Sequence, residues 1–268
     1  MGTFTEYTNP PLIQVALTIK FAPALSSLTM VDVATLYSLF KERFPHFVQI
    51  GRAGAMGTDP RDFIPDEIGS GLPRAHFFNP SEPYAMYFQD DRITVLWNRQ
   101  TPLEIDPSYP GYKGVLNQMG DAVGLLRSWL DRQSFPPVVP IVCEIAYNNA
   151  FLAEVDGERR KLSDVFTVWK PERFPVMTGF NLGWVELLRE AELERSPDQR
   201  STGIVTVGAG AGMTPDNKPV VLLNLIGTST IPDNGWVLLP QPFNEIHEKL
   251  TEVFESLVEK SVLMVKDV

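Results

Sequence analysis

The sequence contains one cysteine, Cys143, and three histidines among 268 residues. A single cysteine excludes an intramolecular disulfide, and its apolar neighbours favour a buried, inert thiol over a nucleophile. His46, His76 and His247 do not have the close spacing of zinc ligands, and no second cysteine is present to pair with the first. We therefore expect no metal site and no cofactor.

The sequence also lacks a long apolar run and a basic cluster. No stretch approaches the roughly 18 apolar residues of a membrane span, and residues 1–6 fit neither a signal peptide nor a myristoylation site. Acidic residues outnumber basic ones by 33 to 23, so the net charge is −10. Nucleic acid is a polyanion that requires clustered Lys and Arg, and the run Arg159-Arg160-Lys161 is short. These features predict a cytoplasmic protein that binds neither membrane nor, directly, nucleic acid.

Two short strings resemble functional motifs but lack the context that those motifs need. Gly208, Gly210 and Gly212 follow a predicted strand, as in a dinucleotide-binding fold. That chemistry requires a helix directly afterwards, whereas residues 213–219 predict a turn. Ser38 and Lys41 match Ser-x-x-Lys, but the two companion motifs of that activity are absent. We expect neither activity.

Hydrophobic spacing predicts the order of the secondary-structure elements. The predicted elements are a strand over 13–21, a helix that begins at the N-cap Thr29, a hairpin over 84–97 that turns at 89–91, a helix over 112–132, a strand over 138–147, one helical turn at 162–166, strands over 176–188, 203–208 and 220–226, and a closing helix from Phe243.

This order favours an α+β fold with an antiparallel or mixed sheet and long amphipathic helices packed on one face. We predict one compact unit over residues 1–268, and leave open a division into two tightly packed halves, 1–155 and 156–268. The Gly- and Pro-rich stretch 45–83 is predicted to be an irregular insert, which in a compact domain is either disordered or functional. The oligomeric state is left open.

Several segments together resemble a sporadically distributed family of uncharacterised bacterial proteins. The segments that carry the resemblance are Asn9-Pro10-Pro11-Leu12-Ile13-Gln14-Val15, Trp97-Asn98-Arg99, Tyr109-Pro110-Gly111-Tyr112, Glu144-Ile145-Ala146-Tyr147-Asn148-Asn149, and the closing helix from His247 through Phe254-Glu255-Ser256-Leu257. The chain departs from the family at Ala146, where the central strand of the family has an arginine-containing pattern. The resemblance implies no catalytic residues, and it implies an accessory or regulatory role, as in antiviral defence systems.

The candidate partner-binding residues are aromatic residues of the insert and acidic residues of the last helix: Phe63, Phe77, Phe78, Glu248, Glu252, Glu255 and Glu259. Glu144 interrupts an apolar strand, which indicates either a solvent-facing position or an acid–base group. Trp97 and Arg99 lie at a strand end, where Arg99 caps a turn or pairs with an acid. His247 is a further candidate for an acid–base site. No catalytic, cofactor-binding or metal-binding residue is assigned.

Three functional hypotheses follow from these features. The first is a non-catalytic protein-binding module, accessory or regulatory, in a bacterial defence-type system. The second is an enzyme whose hydrolytic or acid–base site is assembled only in space, around Glu144 or His247. The third is a small-ligand sensor, which a ligand would stabilise against unfolding.

Overall fold

The computed structural model describes residues 10–52, 71–105, 108–155, 158–160, 162–167, 184–193, 201–214, 216–231 and 235–263. Its elements are β1 (Leu12–Ala22), α1 (Met30–Phe40), β2 (His46–Ile50), β3 (Arg74–Phe78), β4 (Tyr84–Gln89), β5 (Arg92–Asn98), α2 (Gly111–Leu130), β6 (Val139–Leu152), β7 (Glu154–Val155), β8 (Glu158–Arg159), α3 (Leu162–Val165), β9 (Trp184–Leu193), β10 (Ser201–Met213), β11 (Pro219–Thr230), α4 (Gly235–Leu238), α5 (Pro240–Leu257) and a 3₁₀ turn (Lys260–Val262).

Nine of the strands form one sheet in the order β2-β3-β4-β5-β1-β6-β11-β10-β9, and β7 and β8 form a separate ribbon. Every pairing in the sheet is antiparallel. β1 pairs with β5 on one side and with β6 on the other, and β6 pairs in turn with β11. The expected α+β class is confirmed, and the sheet is antiparallel.

The helices α1, α2 and α5 pack on the same face of this sheet. Tyr37 of α1 contacts Phe77, and Trp129 of α2 lies edge-on to Phe88 at 6.0 Å between ring centroids. α5 reaches the sheet at Tyr147. The side chains that these helices bury are Val33, Leu36 and Phe40 of α1; Tyr112, Val115, Met119, Ala122, Val123, Leu126 and Trp129 of α2; and Pro242, Phe243, Ile246, Leu250 and Val253 of α5.

Most of the expected elements are present, and several extend further than their patterns indicated. The N-cap at Thr29 is confirmed, because its hydroxyl accepts from the backbone N–H of Asp32 while the Asp32 carboxylate accepts from that of Thr29. β10 runs through Gly208, Gly210 and Gly212 into β11, so no helix follows those glycines. None of the described helices is long and apolar enough to cross a membrane.

The stretch 45–83 differs from the expected irregular insert. Its two ends form β2 and β3, which pair in register from His46 with Phe78 to Ile50 with Arg74. The sequence pattern concealed these strands because both are short and lie between glycines and prolines. Residues 53–70 of the insert, and residues 176–183 of an expected strand, lie outside the described residues.

Gly227 of β11 sets how closely α5 approaches the sheet. A Cβ atom at this position would lie 2.5 Å from Cγ2 of Ile246 and 3.2 Å from Cγ of Leu250. Both of those side chains are buried, and Cγ2 of Ile246 branches from its Cβ, so it has little freedom to yield. The missing side chain therefore lets α5 lie directly on the strand.

We predict that Gly227→Ala destabilises the protein by about 1–3 kcal/mol, because the added methyl group overpacks the contact with α5. Chemical unfolding at equilibrium measures the effect. Gly120→Ala is the matched control, since a Cβ there would meet nothing within 4 Å and the site lies inside α2. The control should gain about 0.5–1 kcal/mol. Equal stability of Gly227→Ala and wild type would show that α5 does not approach this closely.

Candidate functional site

The face of the sheet opposite α1, α2 and α5, called here the polar face, carries its side chains in rows that cross the strands. One row, the threonine–glutamate row, is in register from β4 to β11 and contains Tyr87, Thr94, Thr18, Glu144 and Thr228. The hydroxyls of Thr18 and Thr94 are 3.0 Å apart and share a hydrogen bond. Because side chains in a strand alternate between faces, none of these residues points toward the helices.

Glu144 is the carboxylate in this row. It is partly buried, and among the described residues it has no hydrogen-bond partner. Burial disfavours its charged form and raises the pKa of Glu144 to about 7, against a smaller opposing effect of the Arg92 charge. The polar face therefore holds a carboxyl group whose pKa is raised toward neutrality and which has no hydrogen-bond partner in the described part of the chain.

Two cations on the same face of the sheet, Arg92 and Lys20, are bound to Asp91. Arg92 donates two hydrogen bonds of 2.8 Å to the Asp91 carboxylate, and Lys20 lies 3.7 Å from it. Gln89 donates a further hydrogen bond of 3.0 Å. Burial opposes ionisation of Asp91, but its hydrogen bonds and the charges of Arg92 and Lys20 outweigh that effect and lower its pKa. Asp91 therefore stays ionised and holds both cations.

A strip of mostly small apolar side chains, the alanine strip, lies one row away from the threonine–glutamate row. It contains Ala85, Leu96, Ala16, Ala146 and Ile226, in register across β4, β5, β1, β6 and β11. Ala16 and Ala146 are partly exposed, whereas Ala85 and Leu96 are buried.

Beyond the alanine strip lies a row of carboxamides, Asn98, Gln14, Asn148 and Asn224. Gln14 donates to Asn98 at 2.8 Å and accepts from Asn148 at 2.8 Å. The strip is therefore bordered by hydroxyl and carboxyl groups on one side and by amides on the other.

At the β2 end of the sheet, the threonine–glutamate row and the alanine strip meet four aromatic rings, which we call the aromatic platform. His76 stacks on Phe78 with 4.7 Å between ring centroids and lies 4.6 Å from Tyr87, and His46 stacks on Phe78 at 5.4 Å. The Arg74 guanidinium lies 4.5 Å above the Tyr87 ring, and its Nε is buried without a hydrogen-bond partner. Burial, together with the Arg74 charge, lowers the pKa of His76. The platform therefore presents partly exposed planar rings, and a buried donor without an acceptor lies beside them.

The predicted partner-binding residues occupy different environments. Phe78 belongs to the aromatic platform, whereas Phe77 is fully buried beneath α1, so its side chain is not available to a partner. Glu248, Glu252 and Glu255 are exposed on α5; Glu259 follows the end of that helix. Phe63 lies outside the described residues. The α5 carboxylates and the aromatic platform lie on opposite sides of the sheet, so they do not form one surface.

Two further candidates, Trp97 and His247, lie on the helix-covered face. Trp97 is fully buried with its Nε1 unpartnered, and it contacts Tyr109 edge-on at 4.9 Å. His247 stacks on Tyr112 at 3.9 Å, and its Nδ1 is 2.9 Å from the hydroxyl of Tyr147. Burial lowers the pKa of His247 to about 4, so the ring is neutral at pH 7. Both residues contribute to packing between the sheet, α2 and α5.

Arg99 binds backbone carbonyls at the end of β5. Its guanidinium donates to Thr101 and Pro102 in the following loop and to Pro10 and Leu12 at the start of β1. It also donates to Leu103 and Ile105. Of the two expected alternatives, the hydrogen bonds support the capping of a turn.

No group of three or more potential metal-ligating side chains occurs among the described residues. A depression between β10, β11 and α5 is lined by Gly203, Val205, Gly227, Ile246 and Lys249, and it is too narrow to admit a water molecule. A comparison of the chain with protein-family models, curated proteins and solved structures finds no match.

Sequence reasoning identified Glu144 but not the rows around it. Thr18, Thr94, His76 and Tyr87 come from four different strands, and only the strand order brings them into line with Glu144. The local signal was the alternation of polar and apolar residues in β1, which assigns Thr18 to the face opposite Val15 and Leu17.

We predict that Glu144→Gln makes stability less dependent on pH. A folded-state pKa near 7, above the value of about 4.3 for an unfolded chain, means that wild-type stability falls as pH rises between those two values. Between pH 5 and pH 8 the variant should therefore gain about 2 kcal/mol relative to wild type. Urea unfolding across this range measures the difference. Glu248→Gln, at an exposed site on α5, is the control, and parallel pH profiles for wild type and Glu144→Gln would contradict the assignment.

We also predict that Arg99→Lys destabilises the protein by about 2 kcal/mol, because an ammonium group cannot reach carbonyls in two separate segments at once. Arg132→Lys is the control, since Arg132 donates from Nε to Ser128 at an exposed helix end. Thermal unfolding compares the two variants. An equal, small loss in both would show that the carbonyl contacts of Arg99 do not hold the loop.

Proposed function

We propose that this protein is a binding module and that a segment of a partner protein docks on its polar face. The supporting observation is the combination, on this one face, of an unpaired carboxyl group at Glu144, carboxamides with free hydrogen-bonding groups and partly exposed rings. Charged and polar groups that are removed from water without partners are costly, and a docked segment that pairs them recovers part of that cost.

The shape of the polar face favours a polypeptide over a compact ligand. The partly exposed part of the alanine strip, Ala16, Ala146 and Ile226, crosses three neighbouring strands and is bordered on both sides by polar rows. An extended chain presents apolar side chains and backbone amides together, which matches an apolar strip between hydrogen-bonding groups. In this proposal, α2 and α5 are the amphipathic helices expected from the sequence. Both bury apolar residues against one face of the sheet, and the partner binds on the opposite face.

An acid–base enzyme is the second candidate, and the pKa of Glu144 favours it. A carboxyl group that titrates near 7 is suited to proton transfer at neutral pH. The neighbours in its row are the hydroxyls of Thr18 and Thr228. Turnover of any substrate that Glu144→Gln abolishes, in a variant that remains folded, would support this candidate over the binding module.

The cellular setting of the proposal rests on the sequence. A single buried cysteine, Cys143, that forms no disulfide is compatible with a reducing cytoplasm. The resemblance to the sporadically distributed bacterial family supports an accessory or regulatory role in a defence-type system. In such a role the polar face would recognise another component of the same system.

Selection from a displayed library of random peptides tests the proposal with the purified protein. We expect selected peptides that bind wild type but lose binding to Ala146→Gln, because the longer side chain fills the alanine strip. The far-UV circular dichroism and the unfolding midpoint of the variant show that it is folded.

The matched control carries Glu248→Gln, Glu252→Gln and Glu255→Gln on α5 and should bind the selected peptides as wild type does. Peptides that this control loses and Ala146→Gln retains would move the docking surface to α5 and contradict the proposal. Failure to select any peptide would contradict it as well.

A further inference from the structure

We propose that two copies of this chain associate through the outer edge of β2, which pairs antiparallel with the same strand of the second copy. The pairing joins the two sheets side by side and is centred on Val48. The interaction uses the backbone edge of the sheet and not the polar face, so it goes beyond the proposed function and does not depend on it.

The outer edge of β2 is open to another strand. β2 is the last strand on its side of the sheet, and among the described strands it pairs only with β3. An edge strand presents N–H and C=O groups that a further strand can bind. His46 and Gln49 are exposed, and Val48 is 42% exposed, so a second strand can reach these groups.

β2 lacks the features with which proteins usually prevent edge-to-edge pairing. The common ones are charged side chains, proline and bulges in the edge strand. The strand His46–Ile50 contains no Lys, Arg, Asp, Glu or Pro, and it pairs with β3 in one unbroken register. Nothing in the strand therefore opposes the approach of a second strand.

The composition of β2 selects a second copy of this chain as the occupant. An added strand meets His46, Val48 and Ile50 on one face of the sheet, and Phe47 and Gln49 on the other. Its best complement is a short, uncharged strand with apolar residues on both faces, because cross-strand side-chain pairs provide the stabilisation. β2 itself has this composition, and every copy of the chain presents it.

The charge distribution allows two copies to approach at this edge. The chain carries a net charge of −10, yet residues 43–52 and 71–81, which include β2 and β3, contain no Asp or Glu. The three arginines of these stretches are engaged within the chain, one with Asp90 and two on tyrosine rings. Repulsion between two acidic copies is therefore weaker at this edge than at the acidic surfaces.

The alternation of side chains determines the register of the pair. A two-fold axis perpendicular to the sheet makes the strands antiparallel and keeps the helices of both copies on the same side. Residues opposite each other must then point to the same face, so the axis passes between a residue and its own copy. An axis at Val48 pairs all five residues of β2, whereas an axis at Phe47 or Gln49 pairs only three.

Sedimentation velocity of the purified protein at pH 8 tests the proposal. The concentration is raised to about 500 µM, because an interface built on one short strand is small and its dimer is expected to be weak. The variants are Val48→Lys and Val48→Glu, with Val48→Thr as the matched control that keeps strand propensity without adding charge. Circular dichroism and the unfolding midpoint show that each variant is folded.

We expect a monomer–dimer equilibrium for wild type, and a dissociation constant within about twofold of it for Val48→Thr. Val48→Lys and Val48→Glu should each weaken the dimer about fivefold, because like charges then lie directly opposite each other at the axis. An equimolar mixture of these two variants should recover association as a heterodimer, since an ammonium group then faces a carboxylate. Ala146→Gln, on the polar face, should associate as wild type does.

Wild type that stays monomeric over this concentration range would overturn the inference. A mixture of Val48→Lys and Val48→Glu that associates no better than either variant alone would overturn it as well. Polymers that grow beyond a dimer would show that β2 pairs with the opposite edge of the sheet, at β9, and would also contradict it. A dimer that Ala146→Gln dissociates would assign the association to the polar face instead.

Discussion

The structure depends on one-sided coverage of an antiparallel sheet. In β1, Val15, Leu17 and Ile19 are fully buried beneath the helices, while Gln14, Ala16 and Thr18 between them point to the opposite face. A shift of one residue in its pairing would exchange the two sets, so the register of β1 with β5 and β6 is strongly determined. The close contact of α5 with Gly227 likewise determines which face of β11 is covered by helices.

The register also determines the composition of the polar face, because it aligns residues from distant parts of the chain. Thr94, Thr18, Glu144 and Thr228 are neighbours only through strand pairing. The same arrangement leaves Glu144 unpaired, since Asp91 in the β4–β5 turn holds Arg92 and Lys20. Burial raises the pKa of Glu144, and the opposing effect of the Arg92 charge is smaller. Asp91 accepts hydrogen bonds from Arg92 and Gln89 and has a lowered pKa instead.

Local patterns were sufficient to predict the elements that have a clear period or cap, and insufficient to predict how they assemble. The Thr29 capping box, the β4–β5 hairpin and α5 all have signals within a few residues. β2 and β3 were missed because their five-residue runs carry little periodicity. Phe77 and Phe78 are adjacent and both aromatic, yet alternation places one in the core and one on the platform. That difference becomes predictable only once the pairing with β4 is known.

The accessibility of the alanine strip tests the central claim most directly. Ala146→Cys places a thiol on the polar face, while the native Cys143 on the helix-covered face is fully buried and serves as an internal reference. The account predicts that a maleimide reagent modifies residue 146 rapidly in the folded protein and leaves Cys143 unmodified until the protein unfolds. Equal protection of both thiols would show that the polar face is covered within the chain itself, and would contradict its assignment as a docking surface.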